Sequence, residues 1–138
     1  MRYEIVEHTA DVGLRAFGKD LKELFANAAY GLFDLIVEDL GTIRPEQAVS
    51  LTVEAQDVEE LFADWLRELV YLCNAERWLF SKFELLDIDP KRLKARCWGE
   101  AYDPSRHAWD MEIKAVTLHR LRVERMEAGW RAQVIFDI

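Results

Sequence analysis

Residues 7–14 read Glu-His-Thr-Ala-Asp-Val-Gly-Leu, a polar segment between two short apolar runs. Residues 3–6 before it and residues 14–17 after it have the apolar content of short β-strands. A connection that only turns the chain needs Gly, Asn, Asp or Pro, whereas this one carries an imidazole, a hydroxyl and a carboxylate. Gly13 can adopt backbone angles that other residues avoid. Because binding groups are often held on loops by a rigid scaffold, we predict a functional loop here.

The other end of the chain has a matching feature. Residues 134–136 form an apolar strand pattern that stops at Asp137 and Ile138. If this last strand lies beside the first strands, Asp11, Asp137 and the terminal carboxylate of Ile138 converge. Three hard oxygen donors favour calcium, magnesium or manganese over zinc. A plainer alternative stays open from the residues alone: Asp137 is solvated, and Asp11 bonds nearby backbone amides.

Composition limits the class of protein. The chain has 138 residues, of which 51% are hydrophobic and 32% charged, so we predict a single domain over residues 1–138. Residues 44–98 could project as an inserted lobe. No apolar run reaches the ~20 residues of a membrane helix, and no signal pattern opens the chain, which predicts a cytoplasmic protein without membrane contact. Cys73 and Cys97 are expected to be reduced core residues.

The formal net charge is −8. Strong affinity for nucleic acid depends on Lys and Arg neutralising phosphates, so we expect no strong direct binding of nucleic acid by this chain. An acidic surface suits metal binding or docking against a basic partner.

Two amphipathic helices are predicted from apolar residues at helical spacing. Asp20 is the expected N-cap of the first, which runs to about Val37, and Asp57 is the expected N-cap of the second. Glu23 and Glu60 stand three positions after these caps, as in a capping box.

The remaining periodic segments are strand-like. They comprise residues 49–55, 79–86, 93–102, 111–117, 118–126 and 130–136, in addition to the two strands around the opening segment. Runs of strands rather than strict strand–helix alternation predict an α+β fold with a largely antiparallel sheet and two amphipathic helices.

Several classes of catalytic site are absent from the sequence. It contains no GxGxxG, GxxxxGK[ST] or GxSxG motif and no pair of CxxC motifs. From the residues alone, His8 reads as a packed or hydrogen-bonded side chain. Lys114 reads as an outward-facing strand residue, with His119 five positions later in the same neighbourhood. We predict no catalytic residue from these patterns.

Four segments resemble the archease family. They are HTADVGLRAFG at residues 8–18, DLKELFANAAYGLF at residues 20–33, IKAVTLHRLRV at residues 113–123 and GWRAQVIFDI at residues 129–138. The resemblance runs in order from about Tyr3 to Ile138. The HTAD element and the terminal element together are specific, whereas either one alone would be weak.

The resemblance implies an archease-like fold and an accessory protein rather than an enzyme. Archeases assist the GTP-dependent RNA ligase that joins tRNA halves after splicing. They promote guanylylation of the ligase, support multiple turnover and can broaden its use of nucleotides. The resemblance also implies a divalent-cation site, calcium first and magnesium or manganese as alternatives, with Asp11, Asp137 and Ile138 as ligands.

Three other side chains are predicted to be candidates for functional support, two of them from the resemblance. Lys114 and His119 match a K-x-x-T-x-H element, and His8 lies in the HTAD element. Two other functions stay open. One is a chaperone or scaffold for RNA-modifying enzymes, with a structural metal. The other is a small metal-dependent hydrolase in which Glu7, Lys114 or His119 serves as acid or base.

Overall fold

A computed structural model describes residues 2–7 and 11–138 of the chain. In chain order its elements are β1 (Tyr3–Glu7), β2 (Asp11–Gly18), α1 (Leu21–Ile36), a 3-10 turn (Leu40–Thr42), β3 (Gln47–Glu54), α2 (Val58–Glu76), β4 (Trp78–Asp89), β5 (Arg92–Ala101), β6 (Ala115–Val116), β7 (Arg122–Met126) and β8 (Gly129–Asp137).

The strands form two sheets in which the described pairings are antiparallel. In the five-stranded sheet the order is β1-β2-β8-β6, and β7 pairs with β8 as well. The second sheet has the order β3-β5-β4. The predicted α+β class with antiparallel strands and two helices is therefore confirmed, but the strands divide between two sheets. The segment predicted as an inserted lobe, residues 44–98, overlaps the three-stranded sheet and α2.

Both helices begin where the sequence predicts. The side chain of Asp20 accepts a hydrogen bond from Glu23 N at 2.9 Å, and Asp57 accepts one from Glu60 N at 2.8 Å. These bonds satisfy amide groups that lack a partner within the helix. The side chain of Glu23 turns back to Lys19 N, one residue before the cap. Local rules therefore suffice to place the start of each helix.

The core lies between the helices and the sheets. One hydrophobic cluster contains buried residues of both sheets and both helices, with Trp65 and Phe25 among its largest fully buried side chains. Helix α1 passes close over β2 at Gly31, where an added Cβ would lie 2.7 Å from Leu14 Cδ1. The glycine therefore allows the helix to approach side chains on the sheet. Cys73 and Cys97 are buried and not disulfide-bonded, and burial raises the pKa of each thiol to about 12.

Three expectations about the strands are wrong in detail. Residues 111–117 form only the two-residue strand β6, and the next strand begins at Arg122 rather than at residue 118. The reason is that β6 and β7 pair with successive parts of β8, and a turn at residues 117–121 separates them. The third expectation placed Gly13 in a loop, but Gly13 lies inside β2 and is not among the described residues with positive φ. A Cβ added to Gly13 would lie 3.4 Å from Val6 Cβ.

Neither of the two described helices is both long enough and apolar enough to cross a membrane.

Candidate metal centre

Asp11 and Asp137 lie directly opposite one another on neighbouring strands. The antiparallel register of β2 and β8 pairs Asp11 with Asp137, Val12 with Phe136 and Gly13 with Ile135. Side chains of directly opposed residues project from the same face, with Cβ atoms roughly 4.5–5.5 Å apart. Asp11 is thus the first residue of a strand, and not a loop residue as the sequence suggested. The two ends of the chain meet at this point.

The face that carries the two aspartates is the one away from the core. Val12 and Phe136 alternate with the aspartates, and both are fully buried on the opposite face. Asp137 is exposed and Asp11 is partly buried. The pair can therefore be reached from solvent while its strands are anchored by the core.

One oxygen of Asp11 has no hydrogen-bond partner in the described part of the chain. Asp11 Oδ1 is the one buried side-chain oxygen or nitrogen within residues 2–7 and 11–138 that makes no hydrogen bond. A buried polar atom without a partner costs about 1–3 kcal/mol. Like charges placed directly opposite on a sheet add a further penalty. A cation between the two carboxylates would remove both costs, so the residues present fit a divalent ion.

The third predicted donor is the end of the chain itself. Ile138 follows Asp137 directly, and its partly buried side chain packs against the core cluster. This packing fixes the last residue, whose terminal carboxylate then lies next to Asp137 in the chain. We call Asp11, Asp137 and Ile138 the carboxylate corner. No group of three His, Cys, Asp or Glu side chains suited to a metal occurs in the described residues, and the metal site predicted at the carboxylate corner stays a prediction.

The K-x-x-T-x-H element lies along the other edge of β8. Lys114 N donates to Asp137 O at 2.8 Å, and Ala115 pairs with Asp137. Thr117 Oγ1 donates to Ile135 O at 2.9 Å and accepts from His119 N at 3.2 Å. The backbone of this element therefore supports the strand that carries Asp137. Thr117 is the residue of the element that sequence reasoning did not single out.

The side chains of Lys114 and His119 have a different relation to the corner. Both residues are exposed, and Lys114 lines a groove beside α2 together with Tyr71 and Asn74. Within the described chain, no hydrogen bond or ion pair joins either side chain to Asp11 or Asp137. The roles predicted for Lys114 and His119 stay predictions. His8, the third predicted support, lies outside the described residues.

A second carboxylate site was missed by sequence reasoning. Glu100 is buried at the end of β5, where Oε2 accepts from Arg44 N at 2.8 Å and from His107 Nε2 at 2.8 Å. Its Oε1 accepts from Arg106 Nη2. Asp103 N donates to His107 Nδ1 at 2.8 Å, so the ring proton is on Nε2. We call Glu100, Arg106 and His107 the Glu100 cluster.

The hydrogen bonds of this cluster control the charge of Glu100. Burial by itself raises the pKa of this carboxyl, but hydrogen bonds from Arg44 N, Arg106 and His107 outweigh burial and hold the pKa at about 2. The cluster fastens the irregular segment after β5, which also bonds to the end of α1 through Glu38 N and Ala108 O at 2.9 Å. With its oxygens partnered, the Glu100 cluster has a structural role rather than the features of a ligand site.

Fold and site together define a class of protein: a small α+β protein with two antiparallel sheets, whose first and last strands bring two aspartates to one exposed corner. The model of the Archease protein family (MTH1598/TM1083) matches residues 3–138. This chain belongs to the archease family.

Individual relatives are similar in sequence to this chain over nearly its whole length. It is 41% identical to "Protein archease" of Methanosarcina acetivorans, covering 99% of this chain and 96% of that protein. It is 38% identical to "Protein archease" of Methanopyrus kandleri, with both chains fully covered.

Two experimental structures share the fold. The solution structure of Methanobacterium thermoautotrophicum protein 1598 has a TM-score of 0.86 and 32% identity, covering 99% of this chain and 98% of that one. A Thermotoga maritima archease, described as a possible chaperone, has a TM-score of 0.64 and 22% identity, covering 100% and 98% of the two chains. The second likeness concerns the fold alone.

Proposed function

We propose that this protein is a metal-binding accessory protein that activates the GTP-dependent tRNA-splicing RNA ligase, promoting its guanylylation and multiple turnover. Family membership supports this proposal. The observation that carries it is the direct pairing of Asp11 with Asp137 at an exposed corner, with Asp11 Oδ1 lacking a hydrogen-bond partner among residues 2–7 and 11–138.

Asp11, Asp137 and the terminal carboxylate of Ile138 would hold the cation. Their oxygen-only chemistry suits calcium first, with magnesium or manganese as alternatives. A divalent ion bound here would supply positive charge to neutralise a nucleotide triphosphate. Two features of the fold hold Asp137 and Ile138 in place. Strand β6 pairs with the backbone of Asp137, and the side chain of Ile138 packs against the core.

Overall charge supports a protein partner. A chain with net charge −8 is suited to docking against a basic, RNA-binding enzyme. We therefore assign the carboxylate corner to the nucleotide site of the ligase, and the ligase supplies the reacting groups.

The test is multiple-turnover ligation with excess RNA, with and without this protein. Asp11→Ala is expected to abolish the stimulation, whereas single-turnover joining by pre-guanylylated ligase should continue. Glu54→Ala is a matched control, because Glu54 is an exposed strand carboxylate on the other sheet. Stimulation that is unchanged by Asp11→Ala would remove the corner from the mechanism.

A chaperone or scaffold for RNA-modifying enzymes is the second candidate, since the acidic surface of this chain would also suit docking against several basic enzymes. It predicts several unrelated partners in a pull-down from native extract and activity that survives chelation of divalent ions. A third reading, a metal-dependent hydrolase, predicts turnover of nucleotide or RNA by the isolated protein in the same assay without ligase.

A further inference from the structure

The outer face of the five-stranded sheet has a chemistry unlike that of the chain as a whole. The register places Glu4, Arg15, Gln133 and Arg122 in one row across β1, β2, β8 and β7. The next row consists of Phe17, Arg131 and Glu124. Together these side chains line a hollow of about 230 Å³. We call this surface the arginine face.

Positive charge exceeds negative charge on the arginine face. Arg15 pairs with Glu4 at 3.0 Å and Arg131 pairs with Glu124 at 2.7 Å, so each glutamate is matched by one arginine. Arg122 has no ion-pair partner among the described residues. It lies in the same hollow, which therefore has one guanidinium group more than its carboxylates can neutralise.

A further guanidinium extends the charge toward the carboxylate corner. Arg120 lines a smaller hollow of about 70 Å³ beside Arg15 and Gln133. Its backbone is left-handed, with φ of 53°, and Gln133 Nε2 donates to Arg120 O at 2.7 Å. The side chain of Gln133 thus holds the backbone of Arg120 against the sheet. In the part of the chain that the structure describes, Arg120 also has no ion-pair partner.

An aromatic ring lies within the same surface. Phe17 is directly opposite Arg131 and lines the hollow with Arg15 and Arg122. Its side chain is on the face away from the core, because its neighbour in β2, Ala16, is buried. Guanidinium groups bind phosphates, and aromatic rings on a sheet stack against unpaired bases. An acidic peptide would use the guanidinium groups but would gain little from the ring.

The arginine face is continuous with the carboxylate corner. Asp11 and Arg15 project from the same face of β2, four residues or about 13 Å apart along the strand. A strand of RNA with its reactive end near the corner could lie across the arginines. We propose that the arginine face binds single-stranded RNA, with phosphates on Arg122, Arg131 and Arg120 and one base stacked on Phe17.

The net charge of −8 makes this contact weak for the isolated protein. Long-range repulsion opposes the local attraction, so binding is confined to low salt and serves to position RNA that a partner already holds. The contact is compatible with the expectation that this chain has no strong affinity for nucleic acid. The use of this contact to position RNA rests on the proposed ligase role, whereas the binding itself rests on the sheet face alone.

The test measures the affinity of the full-length protein for a fluorescein-labelled single-stranded RNA of mixed sequence, by anisotropy, in chelator and over a salt series. Arg122→Ala is expected to weaken binding at low salt by about tenfold and to reduce the salt slope by about 1. Phe17→Leu should weaken binding by roughly five- to tenfold with an unchanged salt slope, because stacking involves no counterion release.

Arg92→Ala is the matched control. Arg92 is an exposed strand arginine on the outer face of the three-stranded sheet, where it pairs with Glu54 at 3.4 Å, and its loss should leave RNA affinity unchanged. Urea unfolding of each variant verifies that the fold is retained.

Four results would overturn the proposal. Two of them are an absence of RNA binding at low salt and an unchanged RNA affinity in Arg122→Ala. A third is an equal loss of RNA affinity in Arg92→Ala and Arg122→Ala. The fourth is an unchanged RNA affinity in Phe17→Leu together with equal displacement of RNA by an Asp/Glu peptide of the same charge. The last result would identify a surface for an acidic protein. Because RNA affinity is measured in chelator and without the ligase, this proposal and the ligase proposal can fail separately.

Discussion

The carboxylates of Glu100 and of the Asp11–Asp137 pair lie in the same molecule but differ in how their oxygens are partnered. Glu100 accepts hydrogen bonds from a backbone amide, an arginine and a histidine, all within the same protein. Asp11 has an oxygen with no hydrogen-bond partner among the described residues and faces a second carboxylate rather than a basic side chain. The first arrangement contributes to stability, whereas the second by itself costs free energy.

The difference separates structural from functional carboxylates. A buried oxygen without a partner costs stability, which is why Asp11 supports our proposal of a bound cation. The pKa of the Glu100 carboxyl is far below its ordinary value, yet both of its oxygens already accept hydrogen bonds from this protein. Unmet hydrogen-bonding capacity, more than a shifted pKa, therefore marks the candidate site in this protein.

Removal of Glu100 should have the largest effect on stability. We expect Glu100→Ala to lower the free energy of unfolding by about 3 kcal/mol, because it leaves Arg106, His107 and the amide of Arg44 without their acceptor. Urea unfolding measures the change. A loss below about 1 kcal/mol would mean that the cluster is not a structural anchor.

The contribution of Glu100 should depend on pH in a defined window. Its pKa is about 2 in the folded protein against an ordinary value of 4.5, so the folded state favours the ionised form. The contribution is therefore complete above about pH 5 and is lost as the pH falls toward 2. The stability difference between wild type and Glu100→Ala should shrink over that range, and a constant difference would contradict the assigned charge.

Removal of a charge at the corner should have a smaller effect of opposite sign. Without metal, Asp11→Asn should raise the free energy of unfolding by about 0.5 kcal/mol, because it relieves repulsion between facing carboxylates. Asp137→Asn is the matched variant and should behave in the same way. Measurement requires chelator during urea unfolding. Clear destabilisation by both variants would show that these carboxylates stabilise the fold by themselves.

Local features of the fold could be predicted from sequence, and long-range ones could not. Asp20 and Asp57 cap their helices because capping depends on residues three positions apart. The division of the strands between two sheets depends on contacts between distant segments, which periodicity does not report. Residues 111–114 alternate like a strand, but Met111 N bonds to Ile36 O at the end of α1 instead of joining a sheet.

The two carboxylate sites differ in the same respect. Asp11 and Asp137 could be selected because oxygen donors at both ends of the chain suggested a shared site, although the residue-by-residue register came only with the structure. Glu100 could not be selected, since its partners come from two separate parts of the chain, Arg44 on one side and the adjacent Arg106 and His107 on the other. Nothing in the sequence around His107 or Arg44 distinguishes them from surface residues.

Calcium titration of the purified protein tests the central claim most directly, with urea unfolding as the readout. At free calcium about 100-fold above its Kd, the wild type should gain about 2.7 kcal/mol in unfolding free energy. Asp11→Asn, and a variant with residues appended after Ile138, should lose most of this gain, whereas Glu100→Ala should keep it. A calcium response that is absent from the wild type, or equal in wild type and Asp11→Asn, would contradict a cation site at the carboxylate corner.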